Sequence, residues 1–236
     1  MPRFVVQHHA VLASTMDATR ACARDGAPDG TVVVARQQTQ GRGRHGRDWF
    51  SPEGNLYASI LLRPGLPPAR LSELGFVVAL AAADAVDAVL PRGRARLKWP
   101  NDVLLDGAKI AGILVEIVED NAAIIGFGLN ILRVPEATPY PVTCLRDAGA
   151  NTSPEAVLAH LLCALERHLA HWSAHGFAHT RDAWLARGPA PGETIRVRIG
   201  TRIDTGRFAG LDADGALLLA ENGATRRVVA GDVVAA

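Results

Sequence analysis

The stretch GRGRHG, Gly41 to Gly46, matches the dinucleotide fingerprint G-x-G-x-x-G residue for residue, and its reading decides the fold. A doubly wound dinucleotide domain needs those glycines at a turn that leaves a strand and at once opens a helix, because the helix N-terminus holds the pyrophosphate. That context is missing. A strand is predicted at Thr31 to Ala35, and the five residues RQQTQ separate it from Gly41. RDWFSPEGN comes next, with Pro52 and Gly54 where the helix would have to run. A kinase glycine loop fails for want of H-R-D and D-F-G, and there is no Walker A pattern. A glycine-spaced cationic loop remains. Arg42, Arg44 and Arg47 bring three guanidinium groups together, with glycines free to fold the chain around an anion. A solvated surface loop has the same composition, so the flanking sequence must choose.

Around this loop the chain alternates strand and helix signals. Val- and Ile-rich strands are expected at Thr31 to Ala35, Leu56 to Leu62, Asp102 to Leu105, Lys109 to Ile117 and Ala123 to Gly126, forming one mixed sheet. Asp106-Gly107 tolerates positive φ, which predicts an antiparallel hairpin between the third and fourth of these. Ser14 followed by Asp17 reads as a capping box opening a helix to about Arg24. Leu74 to Leu90 is Ala-rich with helical spacing. Ser153 as cap, Pro154 at the first helical position, and an apolar stripe of Val157, Leu158, Leu161, Leu162, Leu165 and Leu169 specify another helix. After a Pro/Gly joint at Gly188 to Gly192 the pattern changes. Ile195, Val197 and Ile199 alternate with polar residues, and Asp214-Gly215 and Asn222-Gly223 supply hairpin turns, the signature of a small SH3-like β-barrel. The expected architecture is therefore α/β (α+β): a mixed-sheet domain over 1–187 and a small β domain over 188–236.

Composition narrows the function classes. With 236 residues, 48% hydrophobic and 21% charged, the chain has the make-up of a globular protein. A formal charge of +1 argues against general nucleic-acid or membrane-surface binding. Cys22, Cys144 and Cys163 form no metal or disulfide pattern, which fits a reducing cytoplasm. The apolar run Phe76 to Ala83 meets Asp84 too soon to span a bilayer. His168, His171, His175 and His179 recur at helical spacing but lack a carboxylate or cysteine set, so a solvated helix face accounts for them better than zinc. His45 either meets phosphate or is simply exposed.

Five blocks in order carry a resemblance: QTQGRGR (Gln38 to Arg44), W-x-S-P-x-G-N-L (Trp49 to Leu56), KWPND (Lys98 to Asp102), KIAGILVE (Lys109 to Glu116) and G-x-G-x-N (Gly126 to Asn130). Together they resemble the biotin-protein ligase family across nearly the whole chain. The resemblance implies a catalytic domain of the biotin/lipoate ligase type followed by an SH3-like domain. It implies activation of biotin with MgATP to biotinyl-adenylate, then transfer to one lysine of a biotin carboxyl carrier protein of acetyl-CoA carboxylase or a related carboxylase. Family members that repress transcription carry an N-terminal winged helix-turn-helix. Here the pattern begins by Ser14, so a monofunctional cytoplasmic ligase without operator binding is expected.

The chemistry explains the residue types. Adenylation presses a carboxylate against a phosphate, and two unit charges about 4 Å apart repel by roughly 4 kcal/mol at an effective dielectric near 20. Preorganised cations must offset this, and Arg42, Arg44, Lys98 and Lys109 with Mg²⁺ are the candidates. By resemblance, Arg42 and Arg44 organise the carboxylate and phosphate, Lys109 follows charge between them as the leading catalytic residue, and Arg47, Trp49, Asn101 and Asn130 join the nucleotide site. Lys109 as an edge-strand solubility lysine is the competing reading. Biotin's ureido ring calls for short polar groups, and Ser14, Thr15 and Gln38 fit, with Gly41, Gly43, Gly112 and Gly126 giving close backbone approach. Ser14 serves equally as a helix cap, Gly112 and Gly126 as bulges, Trp49 as a core aromatic and Asn130 as a strand-end turn residue. Asp102 either binds Mg²⁺ or pairs with a nearby lysine. The loop is expected to close over the adenylate, which hydrolyses if water reaches it. A lipoate or octanoate ligase or transferase of the same fold remains the alternative enzyme, and a non-catalytic nucleic-acid module the alternative class.

Overall fold

The computed structural model describes residues 3–90, 94–119, 121–221 and 223–234. Its first part runs β1 (Val5–Leu12), α1 (Thr15–Arg24), β2 (Thr31–Gln38), β3 (Leu56–Leu62), α2 (Pro68–Leu71), α3 (Leu74–Val89), β4 (Ala95–Lys98), β5 (Asp102–Leu105), β6 (Ala108–Val118) and β7 (Ala122–Leu129). Two helices, α4 (Pro154–His175) and α5 (Phe177–Leu185), lead to β8 (Thr194–Ile199), β9 (Arg202–Leu211), β10 (Leu217–Glu221), β11 (Ala224–Val228) and β12 (Asp232–Val234). The seven-stranded sheet has the order β1-β2-β3-β7-β6-β5-β4, and the five-stranded one the order β11-β10-β9-β8-β12. Among the described strands, β1 and β2 form a parallel ladder and the other ladders are antiparallel. The mixed sheet and the separate small β unit are as expected.

Local chemistry accounts for the elements and for three departures. Asp106 and Gly107 both have positive φ, 50° and 83°, so the hairpin turn between β5 and β6 forms as Asp-Gly predicts. Ser153 caps α4, its Oγ accepting from Ala156 N at 3.2 Å, with Pro154 at the first position. At α1 the capping box does not form: Ser14 makes no side-chain cap bond, and Asp17 gives its carboxylate to Arg20 and Arg42. Strand β2 outruns its prediction, since β1 continues to pair with it to Leu12↔Gln38. Only Thr39 and Gln40 therefore separate β2 from Gly41, and the dinucleotide reading fails on the C-terminal side of the glycines, where one 3-10 turn at Arg44–Gly46 stands in place of a helix. β1 carries little sequence signal, because it is an exposed edge strand without clean alternation. The Asp214-Gly215 turn is organised by Asp212, whose carboxylate accepts from Asp214 N and Ala216 N at 2.9 Å each. Asn222 of the other expected turn lies outside the described residues.

The core forms where α3 and α4 cover one face of the large sheet. α3 is apolar nearly all round and buried along most of its length because the sheet lies on one side and α4 on the other. Val157, Leu161 and Leu165 of α4 are fully buried, each side chain contributing about 1.5–3 kcal/mol. No helix among the described residues is long and apolar enough to cross a membrane.

The small sheet is docked onto this core through its β9–β10 turn. Trp99 Nε1 donates to Gly215 O at 3.1 Å, and Phe76 packs edge-on against Phe177 at 5.2 Å between centroids. Gly215 has φ +83°, and a Cβ there would fall 2.7 Å from the Phe76 ring. Both the dihedral and the space demand glycine. Gly215→Ala is therefore expected to lower stability by about 2–4 kcal/mol, from backbone strain plus overpacking, as a fall in Tm by calorimetry. An unchanged Tm would contradict this docking.

A second brace is ionic. Asp84 takes Arg187 at 2.7 Å, His168 at 2.8 Å and Arg167 at 3.2 Å, while Arg187 also reaches Asp87 at 2.8 Å. Burial pushes the Asp84 carboxyl up, but the hydrogen bond and charge of His168 and the two arginines together hold it below the usual carboxylate range. A depressed pKa stabilises the fold above the unfolded value, about 3.9, and that contribution fades as pH falls through the lower native value. Asp84→Asn should thus lower Tm clearly at pH 7, with the gap to the parent narrowing below about pH 4. A gap independent of pH would refute the assignment.

Candidate active site

The open face of β6 and β7, the start of α1, the arginine loop and the last strand β12 enclose a cleft of about 250 Å³. At its α1 end, Thr15 is buried and fixed on three sides. Its N–H and Oγ1 donate to Gln38 Oε1 at 2.8 and 3.1 Å, and Oγ1 lies 2.7 Å from Ser59 Oγ. Gln38 Nε2 donates to Ser51 Oγ at 3.0 Å, so the amide is oriented by its own network. The result is a patch of short donors and acceptors at the end of an otherwise apolar sheet face. Ser14, which the missing cap bond leaves without a helix-capping duty, lines the same end.

The arginine loop is a compact turn held at both ends. Gly43 N donates to Arg47 O at 2.7 Å and Trp49 N to Gly41 O at 2.9 Å, while His45 takes the left-handed conformation at φ 57°. Arg42 meets Asp17 through two bonds of 2.7 Å and lies 3.7 Å from Glu116. The Asp17 hydrogen bond raises the Arg42 pKa, and the same bond lowers that of Asp17. Arg44 donates to Gly231 O at 3.0 Å and to Asp232 at 2.7 Å, and Arg47 reaches the other oxygen of Asp232 at 2.9 Å. One carboxylate of the small sheet thus spans two guanidinium groups of the loop. Burial lowers the Arg44 pKa, opposed by the charge of Asp232.

The lysine pair sits opposite. Asp102 receives Lys98 at 3.0 Å and Lys109 at 2.6 Å, each on a different oxygen, with all three side chains largely buried. Lys98 also donates to Val233 O at 3.2 Å. Lys109 is no edge lysine: β6 has β5 on one side, and on the other Lys109 N donates to Pro141 O at 2.9 Å and its O accepts from Thr143 N at 3.0 Å. Asn101 anchors the turn before β5, its Nδ2 donating to Ile113 O at 2.6 Å.

Trp49 lies on the sheet backbone at paired glycines. A Cβ would fall 3.0 Å from its ring at Gly112 and 2.5 Å from its Nε1 at Gly128, while one at Gly126 would fall 2.6 Å from Met16 Sδ. These glycines admit side chains to the sheet surface and are not bulges; the register shift is elsewhere, between Val103 and Leu104. Trp49 Nε1 is buried against Gly128 without a hydrogen-bond partner.

Of the residues expected from sequence, the cleft brings together Ser14, Thr15, Gln38, Arg42, Gly43, Arg44, Arg47, Trp49, Lys98, Asn101, Asp102, Lys109, Gly112 and Gly126. Gly41 and Asn130 do not line it. Gly41 lets the loop pinch closed, since a Cβ would fall 2.3 Å from Ser51 Oγ. Asn130 is buried and ties the end of β7 to Thr143 O at 3.1 Å, the strand-end role. Sequence reasoning misses Asp17, Ser59, Glu116, Gly128 and Asp232; Asp232 is 188 residues from its partner Arg44 and no motif flags it. The histidines stay on their helices. His171 stacks on His175 at 4.3 Å and His175 meets His179 tilted at 5.2 Å, and no group of three metal-ligating side chains occurs among the described residues.

Because Asp232 alone spans Arg44 and Arg47, Asp232→Asn should free the loop. Tryptic cleavage after Arg44 or Arg47 is expected to speed up by at least about threefold, with the loss of two charge-assisted bonds. Cleavage at the parental rate would contradict the bracing.

Comparison with known proteins identifies the family. Residues 9–130 match the Biotin/lipoate A/B protein ligase family, and residues 192–235 match the Biotin protein ligase C terminal domain. The biotin--[acetyl-CoA-carboxylase] ligase of Paracoccus denitrificans is 42% identical over 199 residues, covering 79% of this chain and 82% of its own. The bifunctional ligase/repressor BirA of Bacillus subtilis is 31% identical over 236 residues, 96% of this chain and 72% of its own. Among solved structures, biotin protein ligase from Aquifex aeolicus in complex with biotin and ATP has a TM-score of 0.84 at 27% identity, covering 97% of each chain. The chain belongs to the Biotin/lipoate A/B protein ligase family, with the biotin protein ligase C-terminal domain as its second part.

Proposed function

We propose that this chain is an ATP-dependent biotin–protein ligase that forms biotinyl-5'-AMP and passes biotin to a lysine of a biotin carboxyl carrier protein. The observation that carries the reading is the convergence of Arg42, Arg44, Lys98 and Lys109 on one cleft with a short polar patch at its end. The patch of Ser14, Thr15 and Gln38 suits a ureido ring, and Gly112 and Gly126, which Trp49 and Met16 cover in this structure, would take a flat bicycle on the sheet once those two side chains move aside. Trp49, an aromatic ring lining the cleft, suits stacking on the nucleotide base.

In the first step a biotin carboxylate oxygen bonds to the α-phosphorus while the bond to the β-phosphate oxygen breaks, and pyrophosphate leaves with the electron pair. Arg42 and Arg44 neutralise the approaching carboxylate and phosphate as planar forks. Lys109, fixed by backbone bonds on both sides, follows negative charge onto the phosphate oxygens. In the second step the carrier's lysine amine attacks the acyl carbon, AMP departs and the amine loses its proton. No internal nucleophile is needed. Both oxygens of Asp102 are paired with Lys98 and Lys109, the alternative to a metal role, so Mg²⁺ would be held chiefly by the triphosphate's own oxygens and water, with Asp102 able to join only after a lysine leaves it. The three cysteines, all free, are consistent with a reducing compartment. DNA is not among the proposed partners, since the formal charge is +1.

Mixing the protein with MgATP, biotin and a biotin carrier domain should give a biotinylated carrier on a streptavidin blot. Lys109→Ala should slow pyrophosphate release by about 10²-fold or more while the fold is retained. Transfer of lipoate but not biotin would overturn the substrate assignment. An unimpaired Lys109→Ala would overturn the role of that lysine.

A further inference from the structure

Lys98 and Lys109 are two like charges held side by side by one carboxylate, Asp102. Anionic substrates compete with that carboxylate for both ammonium groups, and as they do so the pair loses the tie that fixes its separation. A second restraint is already present. The ring of Tyr140 lies 5.8 Å from Lys98 Nζ and 5.5 Å from Lys109 Nζ. Trp49 lies 5.2 Å from Lys109 Nζ, so the ammonium of Lys109 meets two aromatic rings. These distances are within the range over which a ring quadrupole attracts a cation.

The ring is placed by the same strip of chain that clamps Lys109. Pro139 and Pro141 restrict φ on either side of Tyr140. Thr138 Oγ1 donates to Tyr140 O at 2.6 Å. The next three residues bond the Lys109 backbone in both directions, through Pro141 O and Thr143 N, with Val142 bridged to Lys109. Tyr140 lies outside all five blocks of family-like sequence, and its half-buried ring lines the cleft.

We infer that Tyr140 is a positioning residue for adenylation, its ring face holding the ammonium groups of Lys98 and Lys109 in place while substrate anions take over from Asp102. The inference rests on the ligase reading. The ring face, not the hydroxyl, does the holding, so phenylalanine should substitute and leucine of similar bulk should not.

The test is biotin-dependent pyrophosphate release with MgATP by the full chain and by Tyr140→Phe and Tyr140→Leu, with biotin binding measured calorimetrically without nucleotide. Tyr140→Phe is expected to stay within about twofold of the parent. Tyr140→Leu is expected to lose about five- to thirty-fold in kcat, with KM for biotin and ATP within about twofold and biotin affinity unchanged. The inference is overturned by a parental kcat in Tyr140→Leu, or by equal losses in both variants. It is equally overturned by a loss confined to the KM for ATP, which would make the ring a wall of the nucleotide site, or by lost biotin affinity in Tyr140→Leu, which would make it part of the cleft's packing. A parent chain that releases no pyrophosphate overturns the ligase reading itself, and is told apart because no substitution is involved.

Discussion

Seven cationic residues line one cleft, and the mutual repulsion of five of them, Arg42, Arg44, Arg47, Lys98 and Lys109, is the constraint that the rest of the site satisfies. In a partly buried setting two unit charges a few ångströms apart cost several kcal/mol unless compensated. Each of these five is matched with a carboxylate: Arg42 with Asp17 and Glu116, Arg44 and Arg47 with Asp232, Lys98 and Lys109 with Asp102. These carboxylates occupy the positions of counter-ions that anionic substrates can replace. A site organised this way is preassembled for oxyanions before any arrive, which is the condition under which electrostatic stabilisation costs least reorganisation.

The fold serves that arrangement by bringing distant elements to one edge. Asp17 comes from α1, Asp102 from β5, Glu116 from β6 and Asp232 from β12, so four segments must dock before the cations are paired. The docking of the small sheet is therefore part of the chemistry as well as of the fold. The turn seated on Trp99 and Phe76 fixes β12, and β12 in turn presents Asp232 to the loop and Val233 O to Lys98. Glycines at 112, 126 and 128 do the complementary work on the sheet, keeping its surface low enough for Trp49 and Met16 to lie on the backbone.

Much of this is legible in sequence because it is local. The Asp-Gly hairpin comes from which residues tolerate positive φ, and α4 comes from a cap, a proline and an apolar stripe. The cleft residues from Gln38 to Arg47 and from Lys98 to Lys109 lie in short contiguous blocks. The features that escape depend on contacts between blocks. Asp17 has the spacing of a capping residue, and only the approach of Arg42 decides that its carboxylate turns outward. Asp232 stands in a short terminal strand with nothing around it to mark it. Gly41 and Asn130 look like ligand contacts, yet the first is needed for close packing on Ser51 and the second for ending β7. β1 and the last three residues of β2 are hidden from sequence because each is stabilised chiefly by the other.

The most direct measurement is a crystal structure of this chain with biotin and a non-hydrolysable ATP analogue bound together. Exchange of counter-ions predicts that Arg42 leaves Asp17 and Arg44 leaves Asp232 for ligand oxygens, while the backbone of Lys109 stays where it is. Ligands bound with all of these ion pairs intact would contradict it.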